Sequence, residues 1–143
     1  MDHVVYLDIR AKELEHLAQG TKKMIIRGAM GRKMPYGRVH AKDTLYFIEN
    51  KGDGLVKAKA TVSEVIETEK LAKEESIAMV ERHQESLRLD AGLQKRFAGK
   101  RYLVLIRLED VSMLDPFSID RTAYGNMDDW LPVEQIDRVR ISR

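Results

Sequence analysis

The chain has no cysteine. That absence excludes a disulfide scaffold, a thiolate metal site and a cysteine nucleophile. No apolar run approaches the roughly 18 residues that a helix needs to cross a bilayer. The first residues, MDHVVYLDIRAKE, lack a basic start, a long apolar stretch and a small-residue cleavage site, so they do not read as a secretory leader. Neither a P-loop, nor a Gly-x-Gly-x-x-Gly, nor a Gly-x-Ser-x-Gly occurs. Proline is scarce as well, with three in 143 residues. The expectation is a cytoplasmic protein of one domain, residues 1–143, that uses no cofactor and no metal and meets no membrane.

What is present is a normal apolar fraction of 43%, enough to fold, and a high charged fraction of 34%. The net charge of +2 conceals an asymmetry. Lys22, Lys23, Arg27, Arg32, Lys33, Arg38 and Lys42 fall in one stretch that contains no acid. The other 18 basic residues face 23 acidic ones. A cationic segment on an otherwise acidic chain points to an anionic partner. The alternative is a solvated loop with acids brought near it by folding.

Periodicity organises the rest. His3 to Ile9 reads as a strand, and Ala11 to Gln19 as a short amphipathic helix stopped by Gly20. Met24 to Arg27 reads as a second strand. Gly28 to Lys42 has loop chemistry, with Gly28, Gly31, Pro35 and Gly37. Thr44 to Ile48 and Leu55 to Ile66 form a hairpin pattern around Asn50-Lys51-Gly52-Asp53-Gly54. Lys70 to Ala98 shifts to helical spacing, as one or two helices divided near Asp90-Ala91-Gly92. Lys100 to Leu108 is apolar on both faces, as a central strand would be. Trp130 to Val133 and Val139 to Ile141 suit short closing strands. With too few βαβ units for a parallel sheet, the expected class is α+β with a curled, mixed or mostly antiparallel β-barrel flanked by short helices.

The order Leu17, Gly20, Lys22, Arg27, Asp43, Leu45, Phe47, Ala58, Ala60, Val62 resembles the ASCH pattern of the PUA-like superfamily. In that pattern a short helix ends near a glycine. A lysine-bearing strand ending in arginine follows, then an apolar strand and one rich in alanine and valine. The strand from Arg101 to Leu108 fits in order. The resemblance implies a PUA-like barrel that binds RNA or a nucleotide-like ligand. Some small ASCH proteins hydrolyse acylated cytidine with a lysine, a threonine and a distant glutamate, and others are associated with RNA cleavage. Lys22 matches the lysine. Ile25 stands at the threonine position and carries no hydroxyl, and Lys42 replaces the usual glycine before Asp43.

The candidate RNA-binding residues are Lys22, Lys23, Arg27, Arg32, Lys33, Tyr36, Arg38, His40 and Lys42. The cations suit phosphates, the glycines permit close approach, and Tyr36 and His40 suit stacking on unpaired bases. Since Lys22 and Lys23 alternate in pleat, one of them should face the cleft. Arg27 has an alternative role as partner of an acid such as Glu49, and Tyr36 as a residue packed under its loop. Glu74, Glu75, Glu81 and Glu85 suit a solvated helix face, and His83 lacks a second ligand at helical spacing. Asp128-Asp129 is an adjacent carboxylate pair, and Trp130 suits the core or barrel closure. The leading reading is a non-enzymatic RNA-binding domain. The alternative is a small hydrolase acting on RNA or a modified nucleoside, with Lys22 or Lys23 and a helix glutamate exchanging protons.

Overall fold

A computed structural model describes residues 1–141. Strand β1, Asp2–Asp8, is followed by helix α1, Glu13–Gln19, and strand β2, Met24–Ala29. Gly20 ends α1 at φ 80, a left-handed turn that glycine adopts without a Cβ clash. After the 30–43 loop come β3, Thr44–Asn50, and β4, Val56–Glu67. Three helices follow: α2, Lys73–Arg82; α3, Gln84–Leu87; and α4, Ala91–Phe97. Strands β5, Tyr102–Phe117, and β6, Trp130–Glu134, complete one six-stranded sheet in the order β2-β5-β4-β3-β1-β6. Only the β1–β3 pairing is parallel. The class is α+β, and the sheet curls into a half-barrel.

Alternation along the strands sorts side chains to its two faces. Val5, Leu7, Ile25, Phe47, Ala58, Ala60, Val62 and Ile106 fill the concave side, where α1 inserts Leu14 and Leu17. Met24, Ile26, Leu103 and Leu105 face outward and are covered by Val80, Leu87, Leu93 and Phe97 from the helices. A third cluster, with Val4, Ile48, Val56 and Leu131, lies under the C-terminal segment. Strands β2 and β5 are therefore covered on both sides, which explains why Lys100 to Leu108 reads as continuously apolar.

Three sequence expectations change. Strand β5 does not stop at Leu108 but runs to Phe117. Its register with β4 shifts three times, and Asp110 takes φ 53, so period-two alternation breaks where the strand bends. The 70–98 region holds three helices. Asp90 does mark a division, because its Oδ1 accepts from the Leu93 amide at 2.8 Å as the α4 N-cap. The segment expected as a strand at Val139 to Ile141 makes one bridge, Arg140 to Ile119, after a 3₁₀ turn at Ile136–Arg138.

One buried polar chain ties β1, β6 and the 40–43 turn together. His3 is fully buried. Its Nδ1 accepts from Trp130 Nε1 at 3.0 Å, and its Nε2 lies 2.8 Å from Asp43 Oδ2. Both ring nitrogens are used by the neutral tautomer that carries its proton on Nε2. Burial holds the imidazole below its ordinary value of 6.5, against the opposing pull of Asp43. The unfolded chain therefore takes up this proton first as pH falls. The contribution is complete above pH 6.5 and declines below it, toward the folded-state value. Denaturant titrations across that range should show His3→Gln less stable at neutral pH by about 1–3 kcal/mol. The variant should also have a shallower decline on acidification than the native chain.

Candidate functional site

The curled sheet does not close through backbone pairing. Its edge strands are β2 and β6, and the Arg27 side chain from β2 crosses the open seam to β1 and to Asp129, just before β6. Arg27 shares the concave parity of Ile25, so its side chain crosses the open end of the barrel. Nη1 donates to the Ile26 carbonyl at 2.8 Å, and Nη2 donates to the Tyr6 carbonyl of β1 at 2.6 Å. The guanidinium also lies 5.7 Å from the Trp130 ring centroid, within cation–π range. Asp129, just before β6, places Oδ2 at 3.5 Å from Nε. That Nε is buried without a hydrogen-bond acceptor among the described residues. The sequence-level pairing of Arg27 with Glu49 is thus replaced by Asp129. Glu49 instead pairs with Lys57 at 3.4 Å.

A narrow cleft opens at this seam, lined by Arg27, Lys33, Tyr36, Arg96, Tyr102 and Asp129. Gly28 lets the chain pass close to β5, where an added Cβ would stand 2.8 Å from Leu103. The loop beyond it brings Met34 and Tyr36 onto the mouth of the concave core. The Tyr36 hydroxyl donates to the Thr68 carbonyl at 2.7 Å, and its ring meets Tyr102 edge to face at 5.8 Å. Tyr36 is therefore both packed under its loop and part of the cleft wall. Arg32 lies over both rings, 5.5 Å from Tyr36 and 5.6 Å from Tyr102. Acids do approach the basic loop, since Glu69 stands 3.4 Å from Arg32 and Glu67 accepts the Gly37 amide.

Lys22 is placed differently. It is 2% exposed, beneath the seam between α1 and α3. Its ammonium is 3.3 Å from Glu13 Oε2 and donates to the Leu87 carbonyl. Burial lowers the lysine from its ordinary value, and the Glu13 carboxylate opposes that shift. Glu13 also accepts the Asp8 amide at 3.0 Å and lines a second hollow that shares Arg27, Arg96 and Asp129 with the first. A buried lysine–carboxylate pair thus sits directly behind the seam.

Of the nine candidates, Arg27, Lys33 and Tyr36 line one cleft, Arg32 covers two of its rings, and Lys22 lies beneath it. Lys23, Arg38, His40 and Lys42 are exposed and do not line it. Arg96, Tyr102 and Glu13 were invisible as site residues, because each lies in a segment whose apolar spacing speaks only of a helix or strand. Asp129 carried one signal, as half of a carboxylate pair beside Trp130. Ile25 is fully buried in the concave core, so no hydroxyl stands at that point of β2.

A half-barrel of mixed strands with a helix filling its concave side is the PUA-like architecture. No family model matches the sequence, and no curated protein matches it. Solved structures do match in fold. ASCH from Zymomonas mobilis superposes with a TM-score of 0.68 at 13% identity, over 93% of this chain and 89% of that one. A point mutant of the same protein gives 0.66 at 12% identity, over 90% and 87%. The fold of this chain is that of the ASCH domain.

Removing one member of a buried ion pair strands the other in a poorly solvated site. Lys22→Met should lower the unfolding free energy by about 3–5 kcal/mol in denaturant titration. Adding Glu13→Gln, which keeps an oxygen for the Asp8 amide, should recover much of that loss.

Proposed function

We propose that the chain binds RNA, or a nucleotide-like ligand, in the seam cleft. The observation that carries this reading is the convergence of Arg27, Lys33, Arg96 and two tyrosine rings on one cleft, with the nine-tenths-buried Arg27 at its floor. Two of the three guanidinium nitrogens are spent on backbone carbonyls that fix its position. Each of those two nitrogens keeps a second N–H, and a guanidinium held this rigidly can offer it to a ligand at little entropic cost. Asp129 beside it supplies an acceptor for a base N–H, so the pair suits a base edge better than a bare phosphate. Lys33 suits the phosphate, and Tyr36 and Tyr102 suit a stacked base that takes the place of Arg32.

A second reading, hydrolysis of RNA or of an acylated nucleoside, is favoured by one feature, the buried Lys22–Glu13 pair. Burial makes the amine less basic than that of an exposed lysine, the direction that proton exchange requires. Glu13 is the member that lines the groove, with Lys22 as its positioning partner. With no hydroxyl at Ile25, the nucleophile in this reading is water or, for RNA, the substrate's own 2′-hydroxyl. Turnover of RNA or N-acylcytidine, lost in Glu13→Gln with the fold intact, would support it. No turnover at high protein concentration would remove it.

For the binding reading, anisotropy titration of a labelled single-stranded RNA at two salt concentrations is the direct measurement. Micromolar binding that weakens steeply with salt is expected, with a slope shallower by about 0.7 in Lys33→Ala. Tyr102→Leu should cost about 1–3 kcal/mol of binding, the worth of one stacked base. Absent or salt-independent binding contradicts the proposal.

A further inference from the structure

A hollow larger than the seam cleft, about 570 Å³, lies beside the C-terminal segment and shares no lining residue with the seam. That volume is in the range of small-ligand pockets. The sequence builds it where β5 ends at Phe117. After the 3₁₀ turn at Ile136–Arg138 the chain returns antiparallel to the residues that follow β5. The Asp120 amide donates to the Val139 carbonyl at 2.7 Å, and the Ile141 amide to the Ser118 carbonyl at 2.9 Å. Alternation buries Val139 in the third core cluster and leaves Arg140 exposed. Leu55, just before β4, and Pro116, Phe117 and Ile141 form the apolar walls.

Two opposite charges line the same hollow, Arg140 and Asp137. The Arg140 guanidinium lies over the Phe117 ring, 4.2 Å from its centroid. Phe117 is braced in turn by Tyr46, edge to face at 6.5 Å. The stack holds the guanidinium against the wall. Arg138, between the two, pairs with Glu134 at 2.8 Å. Neither Arg140 nor Asp137 belongs to an ion pair among the described residues, and both are exposed. A cation and an anion thus stand beside one apolar surface without neutralising each other. A simple anion would meet repulsion from Asp137, and a simple cation repulsion from Arg140. A zwitterion satisfies both.

We propose that this hollow binds a free α-amino acid with a large apolar side chain. Arg140 takes the carboxylate through paired N–H groups, the geometry for which a guanidinium is shaped. Asp137 takes the ammonium group. The side chain leaves water for the surface of Leu55, Pro116 and Ile141. The site is separate from the seam cleft and stands or falls independently of what binds there.

The test titrates the full chain with L-phenylalanine, 3-phenylpropionate, which lacks the ammonium, and 2-phenylethylamine, which lacks the carboxylate. The readout is the NMR shift of the Ser118 and Ile141 amides. L-phenylalanine should move both. Each analogue should bind more weakly by about tenfold or more, the loss of one charge-assisted contact. Arg140→Gln should weaken L-phenylalanine to a similar degree without weakening 2-phenylethylamine. Asp137→Asn should weaken L-phenylalanine without weakening 3-phenylpropionate. Both substituted residues are exposed, so thermal melts should match those of the native chain. Unmoved Ser118 and Ile141 amides at saturating L-phenylalanine overturn the proposal. So does an analogue that binds as tightly as the amino acid, or a variant that keeps the native affinity for it.

Discussion

A curled sheet that stops short of closure must satisfy its two edges by other means, and here one guanidinium does so. Arg27 joins β2 to β1 through the Tyr6 carbonyl and reaches Asp129 at the entrance to β6. Its position is dictated by strand parity, with Ile25 packed below and Trp130 alongside. The same charge that holds the seam also leaves it open, because a side-chain bridge excludes less volume than a seventh strand. The cleft is a consequence of how the barrel is closed.

Behind that bridge, α1 fills the concave side with Leu14 and Leu17 and carries Glu13 to the buried ammonium of Lys22. An ion pair in such a place is a poor source of net stability, since both partners give up their water. It is better understood as a constraint. It links α1, the start of β2 and the end of α3 in one geometry through Glu13, Lys22 and the Leu87 carbonyl. The His3–Asp43–Trp130 chain does the same on the other side of the seam. Two buried polar clusters thus fix how the elements around Arg27 meet, beside the backbone pairing of β1 with β6.

Much of the fold was legible because its elements announce themselves locally. Period two in Val56 to Val62, the glycine after Gln19, and the doubly apolar run at Leu103 to Ile106 each report a backbone state or a burial pattern. The continuation of β5 past Leu108 was hidden, since bulges break the very alternation by which a strand is recognised. The site was legible only in part. A basic, acid-free stretch with an embedded tyrosine marked Arg27, Lys33 and Tyr36. The same stretch also marked Lys23, Arg38, His40 and Lys42, which face solvent elsewhere. Proximity in sequence is a poor guide to convergence in a loop, where no fixed period tells which side chains share a direction.

The sequence by itself determined the class of the fold and the acid-free cationic segment. These follow from composition and from the geometry of one or two residues at a time. Lys22 and Lys23, by contrast, precede β2, and neither lines the cleft, where pleating predicted that one would. Tertiary structure alone decided that Lys22 is an interior charge held by Glu13, that Asp129 and not Glu49 meets Arg27, and that Arg96 and Tyr102 complete the cleft. Those contacts join residues far apart in the chain. Their energies depend on distance and burial, and neither quantity exists until the sheet has curled and brought its edges together.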